Sequence, residues 1–354
     1  MKRIVLTGGG TAGHVTPNIA LIPELKRDGW EIHYIGTRSG IEYSLVSGKS
    51  DIIYHSIHAG KLRRYLDIKN FTDPFRIVCG IGQSIQIIRQ VKPRVIFSKG
   101  GFVSVPVAIG GFFNKVPVIV HESDITPGLA NRISSIFADS ICTTFPETVS
   151  MFKGDKAVYT GTPIRRELFN GKPERGMKIC GFRPDKPVIL VMGGSTGAIA
   201  INNCIRGILE KLLHRFQIAH ICGSGNIDKG LMGIPGYVQF EYVDEELPHI
   251  ISLADIVVSR AGANSIHEFL ALKKPNLLIP LPLEASRGDQ ILNAKSFEQK
   301  GYSKVLLQED MTQDALYLAI LELYNKRHQY INNMAMVDQN LGIRKIIEQI
   351  NKYA

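Results

Sequence analysis

Gly8-Gly9-Gly10-Thr11-Ala12-Gly13-His14-Val15-Thr16-Pro17 is the stretch on which the reading of the fold turns. Before it lies a short apolar run, Ile4-Val5-Leu6, with the character of a buried strand. After it, Ile19, Ile22 and Leu25 fall at helical spacing up to Arg27, and Pro17 sits near the first turn of that helix. The glycines therefore stand where a strand turns into a helix. Residues without a Cβ suit that place, because the backbone must turn sharply and let a ligand approach its N–H groups. The start of the helix adds unpaired donors and a partial positive charge, which favour a phosphate. A plain tight turn explains one glycine; it does not explain four of them with a Thr and a His inside seven residues.

Gly8-x-Gly10-x-x-Gly13 also spells the dinucleotide fingerprint, a weak match by itself. That fingerprint wants a carboxylate at the end of the second strand. Here the strand Glu31-Ile32-His33-Tyr34-Ile35 runs into Gly36-Thr37-Arg38. Arg38 could hold a 2′-phosphate, so an NADP oxidoreductase stays open on these residues. The His after the last glycine has no place in such a site.

The chain has 354 residues, enough for two α/β domains with sizeable cores. Its 44% hydrophobic and 21% charged residues are ordinary for a globular protein and argue against long disorder. The net charge of +10 is unevenly spread. Residues 1–163 hold 19 Lys and Arg against 12 Asp and Glu, or +7; residues 164–354 hold 23 against 20, or +3. A basic first half points to an anionic partner. No nucleic-acid module is recognisable, so anionic lipid or phosphate is the better expectation. Five cysteines with no C-x-x-C spacing give neither a disulfide framework nor a zinc site, which fits a reducing cytosol. The chain enters its first strand at once, leaving no room for a signal peptide. Its most apolar stretch, Gly101 to Val120, is broken by Asn114, Lys115 and Pro117, so no transmembrane helix is expected.

Apolar runs alternate with helical patterns throughout, which predicts parallel sheets with right-handed crossovers. Strands are expected near 3–7, 31–36, 52–57, 94–98, 117–121, 139–143 and 157–160, then near 187–192, 217–222, 237–240, 255–259, 276–279 and 303–307. Thr162-Pro163-Ile164-Arg165-Arg166 and the polar run Gly171 to Lys178 read as a linker region. One internal echo stands out: Gly193-Gly194-Ser195-Thr196-Gly197 follows Val188-Ile189-Leu190-Val191-Met192 just as the first glycine stretch follows its strand. The fold class is thus α/β, with two Rossmann-like domains facing a cleft and ligands beyond the carboxyl ends of the strands. We place the domains at residues 1–163 and 164–339. The last helical pattern, Ile343, Ile346, Ile347 and Ile350 within about 340–354, returns to the first domain.

Several clusters fall after strands. Ser195 and Thr196 add hydroxyls to the second glycine turn, an environment suited to a diphosphate. Arg260-Ala261-Gly262-Ala263-Asn264-Ser265-Ile266-His267-Glu268 opens a helix through another small-residue turn, and Glu268 could take a ribose diol. His121-Glu122-Ser123-Asp124 ends a strand; its two carboxylates are weak grounds for a metal site. Arg287-Gly288-Asp289-Gln290 precedes a helix. Residues 61–76 interleave five basic and two acidic residues with Leu, Tyr, Ile and Phe, which suits a bilayer interface, or a solvated loop nearly as well.

Taken together and in order, these residues resemble the MurG family of peptidoglycan N-acetylglucosaminyltransferases over essentially the whole length. The carriers are Gly10-Thr11-Ala12-Gly13-His14, Lys99-Gly100-Gly101-Phe102, His121-Glu122-Ser123, Gly161-Thr162-Pro163-Ile164-Arg165, Gly193-Gly194-Ser195, Arg260-Ala261-Gly262-Ala263 with Glu268, and Gln290 with Asn293-Ala294. The resemblance implies a GT-B glycosyltransferase that moves N-acetylglucosamine from UDP-N-acetylglucosamine to undecaprenyl-diphospho-N-acetylmuramoyl-pentapeptide. It would work as a peripheral protein on the cytoplasmic face of the cell membrane, against anionic lipids, with cell-wall or division proteins as candidate partners. The first domain would take the lipid acceptor and the second the donor. No cofactor is named; stimulation by a divalent cation such as Mg²⁺ is left open. By the same resemblance, Thr11, Ala12, Gly13, Asp124, Arg165, Ser195, Val243, Ala263, Asn264, Ser265, Ile266, His267, Glu268 and Gln290 bind substrate. The sequence departs from the family at Ala12, usually Gly, at Asp124, usually Asn, and at Asp289-Gln290, often a Gln pair. His14 is the expected general base, with Glu122 as the alternative. Another glycolipid-directed GT-B enzyme, a UDP-sugar epimerase and a scaffold without turnover are the rival readings.

Overall fold

A computed structural model describes residues 2–60, 69–194, 197–338 and 341–354, and of residues 69–74 the backbone only. The chain divides into two compact units, Met1–Arg165 with Asn340–Ala354, and Arg166–Gln339.

The first unit is built on seven strands: β1 (Lys2–Thr7), β2 (Trp30–Gly36), β3 (Ile52–Ser56), β4 (Val95–Ser98), β5 (Val118–Glu122), β6 (Ser140–Thr143) and β7 (Ala157–Tyr159). The second is built on six: β8 (Val188–Met192), β9 (Gln217–Ile221), β10 (Tyr237–Phe240), β11 (Ile256–Ser259), β12 (Asn276–Leu278) and β13 (Ser303–Val305). Every strand lies where the apolar runs put it. The strand orders are 3-2-1-4-5-6-7 and 10-9-8-11-12-13, all pairings parallel. In each sheet the order reverses beside the first strand, between β1 and β4 and between β8 and β11. The crevice outside the carboxyl ends at such a point is where open α/β sheets bind ligands.

Helices cover both faces of each sheet, which is why the strands read as unbroken apolar runs. In the first unit Ile4, Leu6, Ile32 and Phe97 form one layer, and Val5, Ile35, Ile96 and Val120 the other. The closing helix Leu341–Asn351 belongs to the first layer: Ile346 and Ile350 have no exposed surface. Its four Ile at a spacing of three and four residues make a one-sided apolar stripe, and only this sheet supplies a matching face within its unit.

Two segments differ from their sequence reading. The run Gly171 to Lys178 is no linker, since Pro173–Cys180 is a helix. Pro173 starts it without wasting a donor, and Gly181, at φ 67°, ends it in the left-handed conformation. The stretch 61–76 is not all loop either: from Lys69 onward it is the start of a long helix, Lys69–Val91. Residues 61–68 lie outside the described residues.

Candidate functional site

At the switch point of the first sheet the loop after β1 meets the loop after β4. Gly9 N–H donates to the Gly100 carbonyl at 3.3 Å, and Lys99 N–H donates back to the Thr7 carbonyl at 2.9 Å. The glycines are needed here for packing. A Cβ on Gly9 would lie 2.5 Å from the carboxyl carbon of Glu42, and one on Gly10, at φ 87°, would lie 2.7 Å from the Phe102 ring. Glu42 is fully buried and takes hydrogen bonds from Gly10 N–H (3.1 Å), Thr37 N–H (3.0 Å) and Thr37 Oγ1 (2.5 Å). Its carboxylate fills the underside of the loop. The N–H groups of Gly9, Gly10 and His14 are all spent within the protein. Nothing in the sequence around Glu42 signalled this; β2 had to be placed beside β1 first.

On the outer side of the loop, His14 Nδ1 lies 3.1 Å from Thr11 Oγ1. Ala12–His14 form a single 3₁₀ turn before the helix Thr16–Arg27, and Val15 anchors that turn in the core. His14 and Thr11 line a cavity of about 270 Å³ whose far wall is Phe102, Val105 and Ile133.

Glu122, at the end of β5, is 3% exposed. Its carboxylate accepts from the N–H groups of Ser123 (2.8 Å), Asp124 (3.0 Å) and Gly128 (3.0 Å), and from Asn131 Nδ2 (2.9 Å). Four donors occupy the roughly four acceptor positions of a carboxylate. It therefore holds the turn after β5. Asp124 rides on that turn, its carbonyl capped by Thr148 Oγ1 at 3.3 Å. Beside it, Lys99 Nζ donates to His121 Nδ1 at 2.8 Å and to Ser123 Oγ, and His121 Nε2 donates to the Gly161 carbonyl at 2.9 Å. Burial pushes the Lys99 ammonium down to about 8, against the pull of the Glu122 and Asp124 carboxylates. Arg165, half-buried, closes the first unit.

The second sheet repeats the arrangement at β8, β11 and β12. Gly197, at φ 78°, packs against the turn after β9, where a Cβ would lie 2.1 Å from the Cys222 carbonyl oxygen. Ser195 and Thr196 lie outside the described residues. After β11, Arg260 Nη1 clamps the carbonyls of Ile279 (3.1 Å) and Pro280 (3.2 Å), tying two strand ends together. The helix Ala263–Ala271 then starts from Gly262, and no side chain caps it. Ala263, Asn264 and Ser265 occupy its first turn; Glu268 is half-buried in the second. Gln290 Oε1 takes the Leu281 N–H at 3.2 Å, which braces the loop after β12.

Three of the expected contact residues have internal partners or lie buried here. Ile266 has no exposed surface and its N–H is bound to the Gly262 carbonyl at 3.1 Å, so it offers a ligand neither side chain nor donor. His267 donates from Nδ1 to the Ala263 carbonyl at 2.8 Å and stands edge-on to Phe297. Val243 is buried after the edge strand β10, three places from β11 in the sheet order. Among the described residues no three His, Cys, Asp or Glu side chains are grouped so as to hold a metal ion, and no helix is long and apolar enough to cross a membrane.

Two parallel sheets, each with a glycine turn at its switch point, make the GT-B fold. The chain belongs to glycosyltransferase family 28, whose N-terminal domain model matches residues 4–143 and whose C-terminal domain model matches residues 188–350. Within that family it is 58% identical over 352 residues (99% of this chain, 98% of the relative) to a protein of Clostridium tetani, and 59% identical over 353 residues (100% of both) to one of Clostridium kluyveri. Both relatives bear the name UDP-N-acetylglucosamine–N-acetylmuramyl-(pentapeptide) pyrophosphoryl-undecaprenol N-acetylglucosamine transferase. The crystal structure of MurG from Acinetobacter baumannii has the same fold, with a TM-score of 0.77 at 24% identity, covering 99% of this chain and 100% of the other.

Proposed function

We propose that this chain transfers N-acetylglucosamine from UDP-N-acetylglucosamine to the 4-hydroxyl of the N-acetylmuramoyl sugar in undecaprenyl-diphospho-N-acetylmuramoyl-pentapeptide. The observation that carries this reading is the identity of 58–59% with relatives of that name over 99–100% of the chain, which spans both units. An epimerase or an NADP oxidoreductase would have no use for a lipid-linked acceptor. The carboxylate of Glu42 under the first glycine loop also opposes a dinucleotide diphosphate there.

The donor is α-linked, and direct displacement gives a β-linked product. The step needs a base for the acceptor hydroxyl and donors for the departing diphosphate. His14 is the base. For its Nε2 to carry the lone pair, Nδ1–H must donate to Thr11 Oγ1, so Thr11 orients the ring and fixes its tautomer. The second unit takes the donor: the turn at Gly193–Gly197 and the helix start at Ala263 face the diphosphate, and Glu268 takes the ribose diol. Arg165 and Gln290 complete the donor contacts. The enzyme sits on the cytoplasmic face of the membrane through anionic lipids. Support for a membrane face comes from Phe75 (80% exposed) and Phe113 (64% exposed) in the basic first half of the chain.

The test is to incubate the pure protein with radiolabelled UDP-N-acetylglucosamine and the lipid acceptor, then separate the lipids. Label in a new, more polar lipid is expected. Label recovered only as free sugar or as an epimerised nucleotide sugar would overturn the reading.

A further inference from the structure

The second unit holds a cavity of about 310 Å³ beside the segments that lead into β11 and β12, at the end of its sheet opposite the glycine turns. Three pieces of chain enclose it: the 3₁₀ turn Arg166–Asn170, the helix Leu247–Leu253 and the end of the helix Ala263–Ala271. Gly171 lets the first two close on each other, since a Cβ there would lie 2.1 Å from the Pro248 carbonyl oxygen. Leu168, Phe169, Ile251 and Leu272 supply apolar lining, and Lys273 and Lys274 line the same space. Lys274 Nζ donates to the carbonyls of Ser252 (2.9 Å) and Ala254 (2.8 Å), at the negative end of the helix Leu247–Leu253. Burial pushes its ammonium down to about 8, against the pull of the Asp255 carboxylate. Among the described residues no carboxylate pairs with either lysine.

We infer that Lys274 is a modification site for short acyl phosphates, which enter this cavity and transfer their acyl group to its amine. Two carbonyls need two donors, and an ammonium has three N–H groups. Lys274 can therefore lose one proton and still answer both carbonyls, while gaining a lone pair. The class of electrophile follows from the lining. Leu168, Phe169, Ile251 and Leu272 suit a short acyl chain, and the Lys273 ammonium suits a phosphate. In the step, the Lys274 nitrogen attacks the acyl carbonyl carbon. The bond from that carbon to the bridging oxygen breaks, and inorganic phosphate leaves with the electron pair. The nitrogen gives a proton to water and becomes an amide with a single N–H. One of the two carbonyls then loses its donor, so acylation loosens the end of the helix Leu247–Leu253. The inference needs nothing of the transfer reaction, and its failure would leave that reading untouched.

Acetyl phosphate is the probe. The full-length protein is incubated with it at pH 7.5, and acetylation of each lysine is followed over time by peptide mass spectrometry. Lys274 should react about tenfold faster than the median exposed lysine, because its larger share of free amine outweighs its weaker basicity. Lys99 is the internal control: its ammonium is pushed down to about 8 as well, but it is 1% exposed in the core and lines no such cavity, so it should stay unmodified. Lys273→Asn removes the neighbouring charge and suits the left-handed backbone there, at φ 53°. It should slow acetylation of Lys274 by acetyl phosphate severalfold, and leave its acetylation by acetic anhydride, which carries no phosphate, as in the parent. A Lys274 rate no higher than that of exposed lysines, or one that Lys273→Asn leaves unchanged with acetyl phosphate, would overturn the inference.

Discussion

His121 Nδ1 accepts a hydrogen bond from Lys99 Nζ at 2.8 Å, and neither side chain is more than 1% exposed. His121 Nε2 is committed to the Gly161 carbonyl, so the ring is held as one neutral tautomer. A buried ammonium thus locks the end of β4 to the end of β5 under the turn that carries Glu122 and Asp124.

The Lys99 ammonium is pushed down to about 8 in the folded protein, while in the unfolded chain it titrates near 10.4. Below pH 8 both states hold the proton and the burial penalty is complete. Between about pH 8 and 10.4 the unfolded state binds more protons, so stability rises with pH by up to about 1.4 kcal/mol per unit. Lys99→Met should abolish this gain. Urea unfolding at pH 8, 9 and 10 would show the parent gaining on the variant; parallel curves would refute the assignment.

His14→Ala is expected to lower turnover by roughly 10²–10⁴-fold, the usual worth of a positioned base, with little change in donor affinity. Thr11→Val leaves the base but removes its partner, and should cost about tenfold in turnover, the size of one net hydrogen bond. Steady-state kinetics at saturating substrates decides both. Parental turnover in His14→Ala would remove it as the base.

Glu122→Gln puts an amide N–H₂ against two of the four donors, those that share one carboxylate oxygen. It should destabilise the protein by about 1–3 kcal/mol, the cost of a buried group that loses its partners. Activity at low temperature should keep the parent's pH profile, because Glu122 positions the loop and takes no proton. Glu42→Gln should behave alike on the other side of His14. Loss of the low-pH limb in Glu122→Gln alone would return the base to that residue.

Ser195→Ala and Glu268→Ala should each weaken UDP binding by roughly 0.5–3 kcal/mol, the range for one lost hydrogen bond. Ile266→Val, its side chain in the core, should leave UDP affinity unchanged and cost about 0.5–1.5 kcal/mol of stability. Calorimetry and denaturant melts separate the two classes. UDP affinity that falls with Ile266→Val would reopen its contact role.

Replacing Arg63, Arg64 and Phe75 together should weaken sedimentation with anionic vesicles, by about 1 kcal/mol for each basic residue near the surface. Turnover of a water-soluble acceptor should persist. Vesicle binding equal to the parent's would show that residues 61–76 are not the membrane contact.

The order of elements belonged to the sequence. Apolar runs four to six residues long, alternating with helical patterns, located the thirteen strands of the described residues, because burial on both faces of a parallel sheet writes itself locally. Glycine turns at two strand ends marked the switch points, and the motifs in order carried the family. What tertiary structure alone decided was which side chains meet. Glu42 reaches Gly10 across 32 residues, and Lys99 reaches His121 across 22. Such pairs exist only once β2 lies beside β1 and β5 beside β4, and strand order is set by the packing of the whole sheet. The face of a helix was settled there too: Glu268 and Ile266 stand two apart in sequence, and only the core behind Ile266 separates a candidate ligand from a packing residue.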